Sequence, residues 1–215
     1  MKAVVSGMVV TYPLGGVAWD YLQYAIGLER LGFEVYYLED TGSTTYNPTT
    51  GLYGDDPTYG VNFLIDTIRT LIPSLENRWH FRAIGGRTYG LDETAFHRII
   101  AEADIFLNVS GSAQLRPQYM ASPRKVLIDT DPGWNHFRNY PVRDAFDCLL
   151  AGDRDGALQV LRPLRPQPLW ADLDRWLERS ADWRETFSYR AHDCFFSYAE
   201  AIGRSDCLLP TLGID

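Results

Sequence analysis

The apolar and polar positions of the first forty residues change period twice, and the changes mark out three elements. Lys2 to Val10 reads KAVVSGMVV, an almost unbroken apolar run rich in β-branched residues and followed by a Pro/Gly turn. Such a run predicts a parallel strand buried on both faces. Val17, Tyr21, Leu22, Ala25, Leu28 and Leu31 then recur at helical spacing and form one apolar stripe. Gly32 ends that helix where a left-handed C-cap residue belongs, and the residues up to Asp40 form a second strand. Strand, crossover helix and strand predict a right-handed βαβ unit that takes ligands at the carboxyl ends of its strands. The loop from Thr11 to Gly16 is therefore the first candidate for a site.

Further along, Thr41 to Pro57 is dense in Thr, Gly, Asn, Pro and Asp and reads as a long irregular loop, the kind that carries function or moves. Thr58 to Ile72 predicts a second helix with Val61, Leu64, Ile65, Ile68, Leu71 and Ile72 inward. A short strand is expected at Trp79 to Ile84, and a helix capped by Asp92 runs to Ala103. Ile105 to Val109 and Lys125 to Asp129 are the next strands, with Gly111-Ser112 and Asp131-Pro132-Gly133 as their carboxyl-end loops. In the second half, Asp144 to Leu150, Asp155 to Leu161 and Ala171 to Arg179 read as helices around a Pro-rich connector at Arg162 to Pro168. Cys194 to Tyr198 is a final strand and Glu200 to Gly203 a short helix. The whole predicts one α/β domain over residues 1–215, three-layer and Rossmann-like, with a mainly parallel twisted sheet.

Charge and composition narrow the function. A net charge of −8 over 215 residues argues against nucleic acid, which calls for a basic face, and against an anionic membrane surface. No apolar run approaches the ~18 residues of a membrane span, and no signal peptide is read, so no transmembrane segment is expected. Cys148, Cys194 and Cys207 are widely spaced and without CxxC, which suits reduced thiols in a cytoplasmic protein. His80, His97, His136 and His192 are scattered, so no metal site is expected.

Gly15 and Gly16 let the backbone approach a ligand at the positive end of the following helix, or serve a tight strand-to-helix turn. The spacing of Gly7, Gly15 and Gly16 does not fit GxGxxG, although Glu39 sits where a ribose-binding acid would fall. Asp20 falls in the first turn of the helix, where an acid favours the dipole. Asp131 and His136 share a strand-end loop and together could deprotonate a hydroxyl, or Asp131 could simply form an Asx turn. Tyr12, Trp19, Trp134 and Tyr140 could stack on a ligand or pack as rim. The switch-point rule points to a pocket bounded by Tyr12 to Trp19, Ser110 to Ser112 and Asp131 to His136, with Gly111, Ser112, Gly133 and Trp134 among its ligand-binding residues.

Gly15-Gly16, the helix and the phrase Leu31-Gly32-Phe33-Glu34-Val35 resemble the N-terminus of many GT-B glycosyltransferases, with Phe33 where His is common. Asp104 to Gly111 and Lys125 to Gly133 resemble a subgroup of GT-B-like proteins. The resemblance covers most of the chain, as an N-terminal half only. It implies the acceptor-binding half of a metal-independent transferase, with a nucleotide-sugar as co-substrate and a C-terminal donor-binding domain as partner. It also implies Asp20 as a base, ranked here behind Asp131 and His136. On this reading residues 1–215 alone bind a small-molecule or glycan acceptor weakly and transfer no sugar. A sugar- or nucleotide-binding module without turnover stays open, and an NAD-dependent oxidoreductase ranks third.

Overall fold

The computed structural model describes residues 1–132, 144–145, 148, 151–162, 191–198 and 200–207. The chain divides into two compact units, Met1–Ile128 with Ala191–Cys194, and Asp129–Arg190 with Phe195–Asp215. In the first unit, β1 (Lys2–Ser6) leads through α1 (Gly15–Arg30) to β2 (Glu34–Glu39), which pairs in parallel with β1. A two-stranded antiparallel ribbon, β3 (Thr45–Asn47) and β4 (Leu52–Gly54), comes before α2 (Thr58–Leu71). β5 (Trp79–Arg82) then pairs in parallel with β2, and β6 (Thr88–Gly90) turns back antiparallel on β5. α3 (Glu93–Glu102) carries the chain to β7 (Ile105–Val109), which lies parallel to β1 on its other side, with β8 (Lys125–Asp129) beyond it. With β9 (Cys194–Ser197), the strand order is β6-β5-β2-β1-β7-β8-β9. This is an α/β fold with a mostly parallel sheet, consistent with a Rossmann-like architecture.

Alternation along the strands sends neighbouring residues into two different cores. Val5 and Tyr37 pack with Ala18, Tyr21 and Leu22 of α1 and with Leu64 and Ile68 of α2. Val4 and Leu38 pack instead with Phe96 and Ile100 of α3, together with Phe106 and Tyr119. The helix ends follow local chemistry. Gly32 has φ 87°, its N–H bonds Glu29 O at 2.8 Å, and Phe33 N–H bonds Leu28 O at 3.0 Å. That pair of bonds is a Schellman motif, which closes the helix at the residue the sequence marked. Asp92 caps α3 as expected, its Oδ1 accepting from Ala95 N at 2.9 Å.

Four expectations are corrected. β1 stops at Ser6 rather than Val10, because Val9, Val10 and Thr11 donate their backbone N–H groups to side chains instead of a ladder. Thr41 to Pro57 is not structureless, since it contains the β3–β4 ribbon, held to the first loop by Tyr46 N–H bonding Thr11 O at 2.8 Å. α1 begins at Gly15, so Gly15 and Gly16 are its first two residues, and Asp20 lies in the second turn, with no acid in the first. Glu200 to Gly203 is a turn, not a helix.

In the second unit, α4 (Arg154–Leu161) is capped by Asp153, whose Oδ1 accepts from Gly156 N at 2.8 Å. Most of the expected helix at 144–150, the connector and the helix at 171–179 lie outside the described residues. No helix among the described residues is long and apolar enough to cross a membrane.

Candidate functional site

The chain leaves β1 toward β2 and β5 on one side and returns to β7 on the other, so the strand order reverses between β1 and β7. Their carboxyl ends are a topological switch point, where an open α/β sheet leaves a crevice. Two polar residues interrupt the apolar strands there, Ser6 and Asn108, and both are fully buried. Ser6 Oγ donates to Asn108 Oδ1 at 2.9 Å. That uses its one proton, so the hydroxyl of Ser112, 2.7 Å away, donates to Ser6. Asn108 Oδ1 also accepts from Ala113 N at 3.1 Å, and its Nδ2 donates to His192 Nε2 at 3.2 Å. Ser112 is buried as well, its hydroxyl engaged by the sheet.

Between the two polar strands and this buried serine the backbone takes an uncommon path. Ser110 has φ 55° and Gly111 φ 61°, two successive left-handed residues. A non-glycine residue there is held by its surroundings. One hold is visible: Ser110 hydrogen-bonds the phenol of Tyr21 on α1. Tyr21 is buried, and mainly for that reason its hydroxyl is pushed up to about 12. The loop after β7 and the first half of α1 are therefore brought together.

The first loop is fixed more firmly than its Pro/Gly composition suggested. Glu39, fully buried at the end of β2, accepts four hydrogen bonds: from Val10 N at 2.8 Å, Thr11 N at 2.6 Å, Thr11 Oγ1 at 2.7 Å and Tyr37 Oη at 2.9 Å. Burial raises this carboxyl to about 7, against the pull of those four donors. From the other side α2 closes on the same loop. A Cβ on Gly60 would lie 2.1 Å from the carbonyl oxygen of Val10, so only glycine allows this approach. The acid that a dinucleotide reading would give to a ribose is thus occupied by the protein's own backbone. Its neighbour Asp40, also buried, accepts from Tyr119 Oη at 2.8 Å and from both Nε and Nη2 of Arg116.

The open part of the site is the start of α1. Leu14, the residue before it, makes no side-chain cap. Gly15 and Gly16 are exposed, with no atom within 4 Å of a Cβ built on either. Trp19 is 55% exposed. Asp20 is half-buried, and burial raises its carboxyl above the usual range. Tyr12 meets Tyr53 of β4 edge-on at 6.1 Å, and Tyr53 meets Tyr46 at 5.2 Å. The result is a half-exposed aromatic rim beside a helix end.

Asp131 belongs to the second unit, where it is exposed and its N–H bonds Asp129 Oδ1 at 3.3 Å. Gly133, Trp134, His136 and Tyr140 lie outside the described residues. Sequence reasoning missed Ser6, Asn108 and Tyr37. A polar residue inside an otherwise apolar strand was the available signal for the first two. Among the described residues no group of three or more His, Cys, Asp or Glu is arranged to hold a metal ion. No family model matches the sequence, and neither a curated protein nor a solved structure matches the chain.

Proposed function

We propose that this chain binds a small polar ligand at the β1 and β7 strand ends, as the acceptor side of a metal-independent transferase that uses a nucleotide-sugar. The observation that carries the site is the reversal of strand order between β1 and β7, with α1 opening beside it on two unhindered glycines. The transferase class rests on the GT-B-like phrases of the sequence. In this reading the domain is the three-layer N-terminal half, Trp19 and Tyr12 give apolar faces to a sugar or aromatic acceptor, and the donor is held by a second domain. Asp20 is the acid of the first unit closest in sequence to this helix start, and its raised carboxyl suits a proton acceptor better than a free aspartate. A binding module without turnover shares the same site. An NAD-dependent oxidoreductase is disfavoured by the engagement of Glu39 with Val10 and Thr11.

Calorimetry of the 215-residue chain against several nucleotide-sugars and free sugars, with a product assay in parallel, tests this. The expected result is weak binding that Trp19→Ala reduces, and no transfer. One open half-cleft neither holds two substrates in reacting geometry nor shields them from water. Transfer by this chain alone would overturn the two-domain reading. Binding indifferent to every change along Tyr12, Gly15, Gly16 and Trp19 would overturn the site.

A further inference from the structure

A second feature lies on the same edge of the first unit, away from the β1 and β7 ends. The start of α2 and the β5–β6 turn enclose an open cavity of about 510 Å³, within the range of small-ligand pockets. Its walls carry charges of both signs: Asp55 and Asp56 before α2, and Arg87 on the turn. Asp56 is partly engaged, since its Oδ1 accepts from Thr58 N at 3.0 Å and from the Thr58 hydroxyl. Those bonds, and the charge of Arg87 after them, hold the Asp56 carboxyl below the usual range. Arg87 rests over the ring of Tyr89, with Cζ 4.9 Å from the ring centroid. Among the described residues neither aspartate forms an ion pair with Arg87, and Asp55 has no side-chain hydrogen bond. Ala83 and the half-exposed Ile84 add an apolar wall.

Opposite charges that line one cavity without meeting leave space for a group between them. That group must present a cation to the aspartates and an anion to the guanidinium. Asp55, Asp56 and Arg87 are exposed, so a ligand with only one charge would meet one wall and leave the other to water, whereas a ligand with both charges engages the two walls at once. Two carboxylates against one guanidinium also make a simple anion a poor occupant. We propose that this cavity binds a small zwitterion, an aliphatic α-amino acid. Its ammonium faces Asp55 and Asp56, its carboxylate faces Arg87 and its side chain lies on Ile84 and Ala83. The guanidinium suits this part because its planar fork pairs a carboxylate through two parallel bonds, and Tyr89 holds the plane in place. The site is independent of the one at the β1 and β7 ends.

The test is titration of the full chain with L-leucine, with leucinamide (the cation alone), with 4-methylpentanoate (the anion alone) and with glucose. Leucine should bind at least about tenfold more tightly than either singly charged relative, a difference of one decade in Kd. Arg87→Gln should bring leucine down to the level of leucinamide, and Asp55→Asn should bring it toward 4-methylpentanoate. Both residues line the outer turns rather than the core, so unfolding midpoints should stay at the unmodified value. If a variant fails to fold, the ligand series on the unmodified chain decides alone. No leucine binding up to about 10 mM, equal affinity across the three charged ligands, or tighter binding of glucose would each overturn the proposal.

Discussion

The carboxylate of Glu39 reaches back 28 residues to accept the backbone N–H of Thr11 at 2.6 Å, and that bond helps hold the first loop in place. With Val10 N, Thr11 Oγ1 and Tyr37 Oη it makes a four-donor cage around one buried acid. The cage lets three apolar or small residues stay buried without a strand ladder, because their amides are satisfied by side chains.

A pH-dependent stability follows. Burial raises the Glu39 carboxyl from 4.5 to about 7. The folded chain therefore holds this proton more tightly than the unfolded chain, and the stabilisation is complete below pH 4.5 and lost as pH rises to about 7. The size of that loss is about 3 kcal/mol. Glu39→Gln removes the titration and leaves one loop amide facing an NH2 donor. Urea unfolding of both proteins at pH 5 and pH 8 should show the unmodified chain losing more stability than the variant. Parallel pH profiles would mean that Glu39 does not titrate in this range.

How much of this was legible in the sequence depended on whether the signal was local. Gly32 ends α1 because the Schellman bonds span six residues, and Asp92 caps α3 because its partner is three residues on. Gly7 to Val10 reads as strand in the sequence but is loop in the structure, for the opposite reason. An apolar run reports burial, while the ladder partner that would make it a strand was replaced by Glu39, far along the chain. The β3–β4 ribbon was hidden by its composition, since three-residue strands in a Thr, Gly and Asn context look like loop. The mainly parallel sheet was legible from the βα alternation, whereas the strand order that reverses between β1 and β7 and the Ser6–Asn108–Ser112 network depend on pairings across about 100 residues or more.

Asp40 and Arg116 give a second stability test. Asp40 is 1% exposed and carries the guanidinium and the Tyr119 hydroxyl as its partners. Arg116→Ala leaves a buried carboxylate with one neutral donor, which should cost about 3 kcal/mol. Arg69, whose pairs with Asp66 and Glu76 are exposed, is the comparison, and Arg69→Ala should stay within about 0.5 kcal/mol. Denaturant midpoints of the two variants measure the contrast, and equal losses would mean that the Asp40 cluster is no stronger than a surface pair.

Gly60 sits inside α2, where alanine would ordinarily raise helix stability by about 1 kcal/mol. Here the added methyl would lie 2.1 Å from Val10 O and 2.8 Å from Val10 C, backbone atoms that the Glu39 cage prevents from moving freely. Overpacking of this kind costs about 1–3 kcal/mol. Gly60→Ala should therefore lower the melting temperature despite the propensity gain. A rise would show that the first loop yields to α2.

Gly15 and Gly16 should respond in the opposite sense, and their response separates folding from function. Both lie in the first turn of α1, and neither has φ in the left-handed region. No atom comes within 4 Å of a Cβ at either position. Packing and backbone conformation thus give no reason for glycine, and Gly15→Ala with Gly16→Ala should raise stability by about 0.4–1 kcal/mol per site. Two methyl groups at this helix end would also stand between its free N–H groups and any approaching ligand. If the glycines are there for such an approach, the double variant should be more stable and bind sugars or nucleotide-sugars more weakly than the unmodified chain. Thermal unfolding and calorimetric titration on one preparation read both effects. Higher stability with unchanged binding would remove the α1 N-terminus from the site, and lower stability would point to a packing role that the present arrangement of side chains does not contain.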